Sequence, residues 1–498
     1  LSPSDLLPLD LLSKALPPPG HATPTQMVQS KGSRGLRLAS AVAAPLNFPA
    51  SQIFTNCYYF PSEFSLVATV KIQTLRQKTN EYIFSVVREG SDSLLLGLRV
   101  SENHRPPCSR LEQGQLWFNA QGKGLFICDG LTWRTLLQSK QRLDYVEDYQ
   151  DLYTRSETLD VEVFSIPSEG LFMAAANKDS RTGSGIYRWT NASFQLYQNI
   201  STQEARSWKH FTIDDKIFLV VAANFREAGS ERSVIYQWHR RRRRFVRYQT
   251  LETHTAQDWE AFRIHNHSFL VVANHRRDSN HNIHSVIYRW NPDTKLFEVN
   301  QTLLTSGAYD WEFFTVGPYH FLVVANTFDG RTTIISSTIY VWLDGSFQTF
   351  QSVPTVGATD WEPFQIDGRF FLAVANSQKI PDRGTSVYSI NSTVYELNTL
   401  TQTFIRFQDI LTHSALDWEF FTIGDEKFLV VANSHDGSSY SLNSVVYRWQ
   451  GYEGFVPVHS LPTFGCRDWE DFSTDEGSFL IYSSAKSRLS KVFKLRNY

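Results

Sequence analysis

A segment with a fixed pattern of apolar and polar positions recurs along the C-terminal part of the chain. Its clearest copy starts at Asp417 as Asp-Trp-Glu-Phe-Phe-Thr-Ile and ends at Asn433 as Phe-Leu-Val-Val-Ala-Asn. The other copies start with Asp-Trp-Glu, or with a degenerate form of it, at Asp160, Ser207, Asp258, Asp310, Asp360 and Asp468. Consecutive copies start 47, 51, 52, 50, 57 and 51 residues apart. Such a nearly constant period indicates a repeat architecture.

Each repeat predicts four β-strands. The first contains the Asp-Trp-Glu motif. The second, Phe-Leu-Val-Val-Ala-Asn, is apolar on both faces and is therefore expected inside a sheet. The third contains Val-Ile-Tyr-Arg-Trp, which alternates as a strand with one wetter face does, and the fourth contains Phe-x-x-x-Gln. This order, repeated seven times over residues 144–498, predicts an all-β fold with a seven-bladed β-propeller.

The last repeat lacks a fourth strand, because the chain ends soon after Val492-Phe-Lys-Leu495. A matching segment lies ahead of the first repeat, where residues 149–154, Tyr-Gln-Asp-Leu-Tyr-Thr, parallel residues 407–412, Phe-Gln-Asp-Ile-Leu-Thr. We therefore predict that residues of about 145–153 form the fourth strand of the last blade. That pairing closes the ring and removes its open edge.

The region before the repeats predicts a different β-structure. Alternating segments at 64–72, 82–87 and 93–100 have the spacing of strands in a β-sandwich. Residues 108–143 predict a separate hairpin with its turn at Gln121-Gly-Lys-Gly124, followed by a linker. Cys108 and Cys128 flank the hairpin and either pair across it or remain free thiols.

Composition narrows the class of protein. Hydrophobic residues make up 42% of the chain and charged residues 20%, which indicates a globular protein. The net charge of −2 gives no overall attraction to nucleic acid or to an anionic membrane. No apolar run approaches the roughly 20 residues that a membrane-spanning helix requires. We therefore expect no nucleic-acid partner and no membrane span.

Five Asn-x-Ser/Thr sequons favour an extracellular location, although each one alone is a weak signal. They start at Asn191, Asn199, Asn266, Asn300 and Asn391. The first, third and fifth of them fall between predicted strands, where a glycan is easily accommodated. The chain is therefore expected to be a secreted or cell-surface glycoprotein.

Both halves of the chain resemble known families. Phe60-Pro-Ser-Glu-Phe-Ser-Leu-Val-Ala-Thr-Val, with Tyr82-Ile-Phe-Ser-Val-Val and Leu94-Leu-Leu-Gly-Leu, resembles the thrombospondin-type laminin G domain. Fewer strands precede Cys108 than such a domain has, so residues 1–107 predict an abridged sandwich. The repeats resemble the EAR, or epitempin, repeat of the leucine-rich glioma-inactivated proteins. The resemblance implies a secreted or cell-surface protein that binds other proteins, linked to Notch signalling, to hair-follicle and tooth development and to hearing.

The carboxylates of the Asp-Trp-Glu motif are the candidate metal ligands. Residues i and i+2 of a strand share a face, so both carboxylates of each motif would line the channel and form a ring of like charges. Calcium, which takes oxygen ligands, would neutralise that charge, and the EAR resemblance also allows calcium there. The prediction places it at Asp258, Glu260, Asp310 and Glu312. In the structural alternative, Asp caps a loop, Trp packs between blades and Glu pairs with a nearby Lys or Arg.

An unbroken basic run lies between the third and fourth strands of the second repeat: Arg240, Arg241, Arg242, Arg243 and Arg244. One interpretation is a contact for heparan sulfate or another acidic partner. The other is a solvated hairpin tip.

The sequence gives little support for catalysis. It has no Gly-x-Ser-x-Gly elbow, no His-Glu-x-x-His and no phosphate-binding loop. His254, His275, His281 and His284 cluster in the third repeat without the spacing of metal ligands. A glycan hydrolase remains the alternative class, since some propellers are hydrolases, but it needs one distinct pair of carboxylates across a pocket. We predict a non-enzymatic recognition module.

Overall fold

The computed structural model describes residues 11, 25–30, 33–38, 48–49, 81–88, 94–101, 107–110, 113–119, 124–137, 142–227 and 230–497. The chain divides into two compact units, Leu1–Leu137 and Gln138–Tyr498. Most of the described residues in both units lie in strands. The predicted strand at 64–72 lies outside the described residues.

The described residues of the first unit form two sheets. Thr25–Ser30 and Ser33–Leu38 form an antiparallel pair. The second sheet has five strands, in the order Glu81–Val87, Leu94–Ser101, Gln115–Asn119, Gly124–Cys128 and Trp133–Leu137. The second and third of these run parallel, and all the other neighbours are antiparallel.

The hairpin expected to stand apart at 108–143 is part of this larger sheet. Its first strand, Gln115–Asn119, pairs with Gly97–Ser101. The physical reason is the free edge that Leu94–Ser101 would otherwise present, since an unpaired edge leaves a row of backbone N–H and C=O groups without partners. Trp117, Cys128 and Trp133 form a small buried core beneath the hairpin.

The second unit consists of seven four-stranded antiparallel sheets, numbered here as blades 1 to 7. Blade 1 contains Thr158–Ile166, Gly170–Asn177, Ser184–Thr190 and Ser193–Ile200. Blade 2 contains Ser207–Ile213, Lys216–Glu227, Ser230–His239 and Arg244–Glu252. Blade 3 contains Ala256–Ile264, His267–Asn274, Asn282–Asn291 and Leu296–Ser306. Blade 4 contains Ala308–Val316, Tyr319–Asn326, Ile334–Leu343 and Ser346–Val356.

The remaining blades have the same order. Blade 5 contains Ala358–Ile366, Arg369–Asn376, Ser389–Asn398 and Thr403–His413. Blade 6 contains Ala415–Ile423, Glu426–Asn433, Ser441–Trp449 and Phe455–Phe464. Blade 7 contains Cys466–Thr474, Gly477–Ser484, Leu489–Asn497 and, from the start of the unit, Leu143–Tyr153.

The blades form a closed ring. The first strand of each blade contacts the first strand of the next, and Cys466–Thr474 of blade 7 contacts Thr158–Ile166 of blade 1. Blade 7 is completed by Leu143–Tyr153, which pairs antiparallel with Leu489–Asn497. The described structure is therefore a seven-bladed β-propeller whose two ends share one sheet.

The second strand of each blade is central and buried on both faces, as its apolar sequence requires. Phe428, Leu429, Val430, Val431 and Ala432 are each at most 1% exposed. Between blades, alternate residues of neighbouring second strands pack with the Trp of the first strand into shared cores. The first strands are therefore held rigidly around the central channel.

Candidate functional site

The channel is lined by the acidic residues of the Asp-Trp-Glu motif. Carboxylates of blades that are not neighbours interact electrostatically across it, as Asp160 does with Asp258 and Glu162 with Glu260. We call the first set the aspartate ring: Asp160, Asp258, Asp310, Asp360, Asp417 and Asp468, with Ser207 at the seventh position. We call the second set the glutamate ring: Glu162, Glu260, Glu312, Glu362, Glu419 and Glu470, with Lys209 at the seventh position.

Most of the aspartates join one blade to the next. In each case the Asp Oδ2 accepts a hydrogen bond from a backbone N–H of the following first strand. The pairs are Asp160 with Trp208 at 2.8 Å, Asp310 with Trp361 at 2.9 Å, and Asp360 with Trp418, Asp417 with Trp469 and Asp468 with Val161 at 2.8 Å. The aspartate is therefore a structural link as well as a charge.

The Trp of the motif fills the space between blades. All six are at most 2% exposed. In four of them the indole Nε1 donates to a carbonyl of the preceding blade: Trp208 to Ala175, Trp361 to Val324, Trp418 to Val374 and Trp469 to Val431, each at 3.1 Å. The Nε1 atoms of Trp259 and Trp311 have no hydrogen-bond partner in the described part of the chain. The regular linkage is thus interrupted between blades 2 and 4.

A second set of links between neighbouring blades lies on the fourth strands. It was not predicted from the sequence. A Gln side chain donates to the carbonyl, and accepts from the N–H, of a Phe in the next blade. The pairs are Gln150 with Phe194, Gln198 with Phe245, Gln249 with Phe297, Gln301 with Phe347, Gln351 with Phe404 and Gln408 with Phe455. The sequence signal that could have revealed these links is the repeated Phe-x-x-x-Gln, because it contains both residue types that form each link.

Burial in the channel opposes ionisation of these carboxylates. It raises the pKa of Asp258 to about 7 and the pKa of Glu362 to about 8, in both cases against the lowering effect of Lys209. Burial and neighbouring carboxylates also raise the pKa of Asp160, Asp310, Glu312, Asp360, Asp417, Glu419, Asp468 and Glu470. The channel therefore brings together carboxyl groups whose ionisation is costly.

The structure brings the four predicted calcium ligands to the same side of this channel, in blades 3 and 4. Two of them already have partners, because Asp310 accepts the N–H of Trp361 and Glu260 lies 2.7 Å from Lys209 Nζ. Within the described ranges, no group of three or more His, Cys, Asp or Glu is arranged to hold a metal ion. Calcium binding at Asp258, Glu260, Asp310 and Glu312 stays a prediction.

The arginine run lies in the turn between the third and fourth strands of blade 2, and all five side chains are exposed. Arg243 Nε donates to Glu169 Oε1 at 2.9 Å, and Arg240 donates to the carbonyl of Asp215 at 3.1 Å. The guanidinium groups of these two arginines are therefore anchored on neighbouring turns. The exposed run is available to a partner, and heparan sulfate binding stays a prediction.

The five sequon asparagines are all exposed. Asn191 and Asn266 lie in turns of blades 1 and 3, and Asn199 and Asn300 lie on fourth strands. Asn391 lies on the third strand of blade 5, so its expected position between strands is wrong. Burial therefore prevents none of the five predicted glycans.

Cys108 and Cys128 form a disulfide in the first unit, with their Cα atoms 5.5 Å apart. The bond joins the start of the hairpin region to its second strand. Cys466 is a buried free thiol in the first strand of blade 7. Cys57 lies outside the described residues.

The histidines of blade 3 show no catalytic arrangement. The rings of His275 and His281 lie 5.2 Å apart, and burial lowers the pKa of His275 to about 4. His275 Nδ1 lies 3.3 Å from the carbonyl of Ala308 and His281 Nδ1 lies 3.2 Å from that of Ser279. These contacts hold the loop between the second and third strands of blade 3.

Among the described residues, no helix has the length and the hydropathy that a membrane span requires.

Comparison with known families matches both the repeats and the whole chain. The EPTP domain model matches residues 193–239, 244–291, 296–343, 346–398, 403–450 and 454–495. Thrombospondin-type laminin G domain and EAR repeat-containing proteins of Mus musculus and Homo sapiens are each 45% identical over 644 residues, covering 99% of this chain and 96% of the relative. Because that alignment is longer than the 498 residues of this chain, the relatives contain segments that have no counterpart here.

Two proteins of the LGI family show a more distant similarity. Leucine-rich repeat LGI family member 2 of Mus musculus is 24% identical over 349 residues, covering 68% of this chain and 56% of the relative. Leucine-rich repeat LGI family member 3 of Mus musculus is 27% identical over 188 residues, covering 37% of this chain and 31% of the relative.

Proposed function

This chain belongs to the family of thrombospondin-type laminin G domain and EAR repeat-containing proteins, and on that premise we propose that it is a secreted or cell-surface protein that recognises other proteins. Its EPTP repeats and its relatives support an extracellular interaction module rather than an enzyme. The observation that carries the proposal is the structural role of the repeated residues. The Asp, Trp and Gln positions join blades, so the fold itself accounts for them without any reaction.

The finer roles come from the family resemblance alone. They are Notch-linked development of hair follicle and tooth, and hearing. A Notch-responsive reporter in epithelial cells exposed to the purified chain tests the first of them. A reporter that does not respond, while the same chain binds those cells, would remove Notch signalling from the proposal.

Capture of receptors tests the proposal as a whole. The full glycosylated chain is immobilised and exposed to a panel of purified cell-surface receptor ectodomains, and to cells treated with either protease or heparinase. A protein partner predicts binding to at least one ectodomain and loss of cell binding after protease treatment. Binding lost only after heparinase treatment would instead support a glycosaminoglycan-binding matrix protein.

The exposed arginine run favours that second candidate. Replacement of Arg241, Arg242 and Arg244 by Ala leaves the anchored Arg240 and Arg243 in place. Earlier elution of this variant from a heparin column would support a heparan sulfate contact. Salt weakens electrostatic contacts between arginine and sulfate groups, so a variant with fewer such contacts elutes at lower salt. Unchanged elution would leave the run as a solvated turn.

Calcium in the channel is a further proposal, supported by the cost of ionising so many buried carboxylates. Calorimetric titration of the full chain with calcium chloride tests it. Heat of binding that disappears in Asp310→Asn is the expected result, and a flat titration of the folded chain would remove the idea. A hydrolase would instead turn over a glycan substrate and lose that activity on replacement of one carboxylate.

A further inference from the structure

One position of the glutamate ring carries the opposite charge. Six blades place Glu there, and blade 2 places Lys209. Lys209 Nζ lies 2.7 Å from Glu260 Oε2, and the side chains of these two residues are only 29% and 8% exposed. Lys209 is thus a partly buried cation at a position where the other six repeats of this chain place a carboxylate.

The ammonium group of Lys209 serves more than its nearest partner. Its favourable electrostatic interactions come from Glu260, then Glu312, then Glu162. These three residues belong to blades 3, 4 and 1, so a single cation reaches carboxylates from three sides of the channel. It also opposes the rise in pKa that burial causes for Glu362 and Glu470, in blades 5 and 7. Five of the six glutamates of the ring therefore interact with this charge.

The aspartate ring has a cation of its own. The guanidinium of Arg467, in blade 7, lies 4.9 Å from the ring centroid of Tyr309, in blade 4. Blades 4 and 7 are not neighbours, so this contact crosses the channel. Arg467 also offsets part of the rise in pKa that burial causes for Asp417 and Asp468. Both rings are thus partly neutralised by side chains of the protein.

We propose that Lys209 is the built-in counter-cation of the glutamate ring, and that it competes with a divalent cation for these carboxylates. Lysine suits the role because its ammonium is a compact charge on a flexible stem. The like charges of Glu162, Glu260 and Glu312 would repel one another without it. The competition half of the proposal rests on the calcium site proposed above, and the counter-cation half does not.

Thermal unfolding of the full chain tests the counter-cation. Lys209→Gln is expected to lower the melting temperature by at least about 3 °C, since it leaves buried carboxylates without their partner. Lys209→Arg, which keeps the charge, is expected to lose less. Lys216→Gln, an exposed lysine of the same blade, is the matched control and should leave the melting temperature unchanged.

A double variant makes the test specific to charge. Glu260→Gln in the Lys209→Gln background removes the unpaired carboxylate and is expected to recover at least half of the loss. No recovery, or an unchanged melting temperature in Lys209→Gln alone, would overturn the counter-cation. Where Lys209→Gln is not secreted, secretion of the double variant supports the proposal, and its failure to be secreted overturns it.

Calcium titration tests the competition. Lys209→Gln is expected to bind calcium roughly tenfold more tightly than the unmodified chain. Equal affinities with an unchanged melting temperature would overturn the role of Lys209 and leave the calcium site standing. Binding to neither chain, together with recovery in the double variant, would remove the calcium site and leave Lys209 as the counter-cation.

Discussion

At the scale of single residues, the repeated Asp-Trp-Glu motif mainly links neighbouring blades. We call a hydrogen-bonded link of this kind a joint. Asp360 accepts the N–H of Trp418 at 2.8 Å, while the indole of Trp418 donates to Val374 in the blade that carries Asp360. One residue pair thus fixes two adjacent blades at two points. Of the structural interpretation of the motif, the packing of Trp between blades is confirmed. The expected loop cap is wrong, because Asp360 instead accepts the N–H of a strand in the next blade.

We expect Asp360→Ala to be less stable than Asp360→Asn by about 1 to 3 kcal/mol. Both variants remove a buried carboxyl group, but only Asn keeps an acceptor for the N–H of Trp418. Chemical denaturation of the two variants measures the difference. Equal stabilities would mean that the hydrogen bond is not a significant joint.

Glu362 should make stability depend on pH. Its pKa, raised by burial from 4.5 to about 8, means that the folded chain keeps a proton which the unfolded chain releases. The resulting stability is complete below pH 4.5 and is lost as the pH rises through about 8. Between pH 6.5 and about 8 we expect the folded chain to lose stability, and Glu362→Gln to lose about 1 to 2 kcal/mol less.

Below pH 6.5, buried histidines change the stability in the opposite direction, so the prediction applies only above that pH. Burial lowers the pKa of His210 and His275 from 6.5 to about 4, so their contribution falls as the pH drops through that range. Unfolding curves at both ends of the higher window check the prediction. Identical pH profiles for Glu362→Gln and the unmodified chain would contradict it.

At the scale of elements, each fourth strand carries the outer joint of the ring. Gln351 Nε2 donates to the carbonyl of Phe404 at 2.8 Å, and its Oε1 accepts the N–H of Phe404 at 2.7 Å. The same pair recurs at six of the seven blade junctions among the described residues, and His459 takes the place of Gln in blade 6. Inner and outer joints together connect neighbouring blades at two positions along most junctions.

Gln351→Ala is expected to cost about 1 to 3 kcal/mol, because it leaves both backbone groups of Phe404 without their partner. Gln348→Ala, an exposed change on the same strand, is the matched control and should stay within about 0.5 kcal/mol. Denaturation midpoints of the two variants provide the measurement. An equal loss in both would remove the outer joint from this account.

At the scale of the whole molecule, the ring is closed by chain that precedes the first blade. Leu143–Tyr153 completes blade 7 and covers Val492 and Phe493, which are at most 1% exposed. Without it, Leu489–Asn497 would be an open edge, and such edges promote pairing between molecules. Closure also ties the two ends of the propeller to one sheet, so local opening of either end disturbs both.

A chain that starts at residue 154 should therefore fail where a chain that starts at residue 138 succeeds. We expect the longer form to be secreted as a monomer and the shorter form to aggregate, as judged by secretion yield and size-exclusion chromatography. A shorter form that is monomeric, with an unchanged melting temperature, would contradict the role of the closing strand.

The sequence by itself determined the all-β fold, the number of blades and the segment that closes the ring. It could do so because strand period, repeat length and the missing fourth strand are local properties, readable from residues such as those around Gln150 and Val492. In the first unit the same local signals indicated the hairpin but not its sheet. Pairing of Gln115–Asn119 with Gly97–Ser101 depends on which edge is free.

Only the tertiary structure decided what the channel residues do. A sequence shows six Asp-x-Glu pairs in the rings, but not that five of the aspartates bind the next blade, or that Lys209 reaches carboxylates of three other blades. These properties depend on distances between residues about fifty positions apart or more, which closure of the ring sets. The degenerate copy Ser207-Trp-Lys209 departs most from the repeated motif, and only the closed ring shows which carboxylates Lys209 reaches.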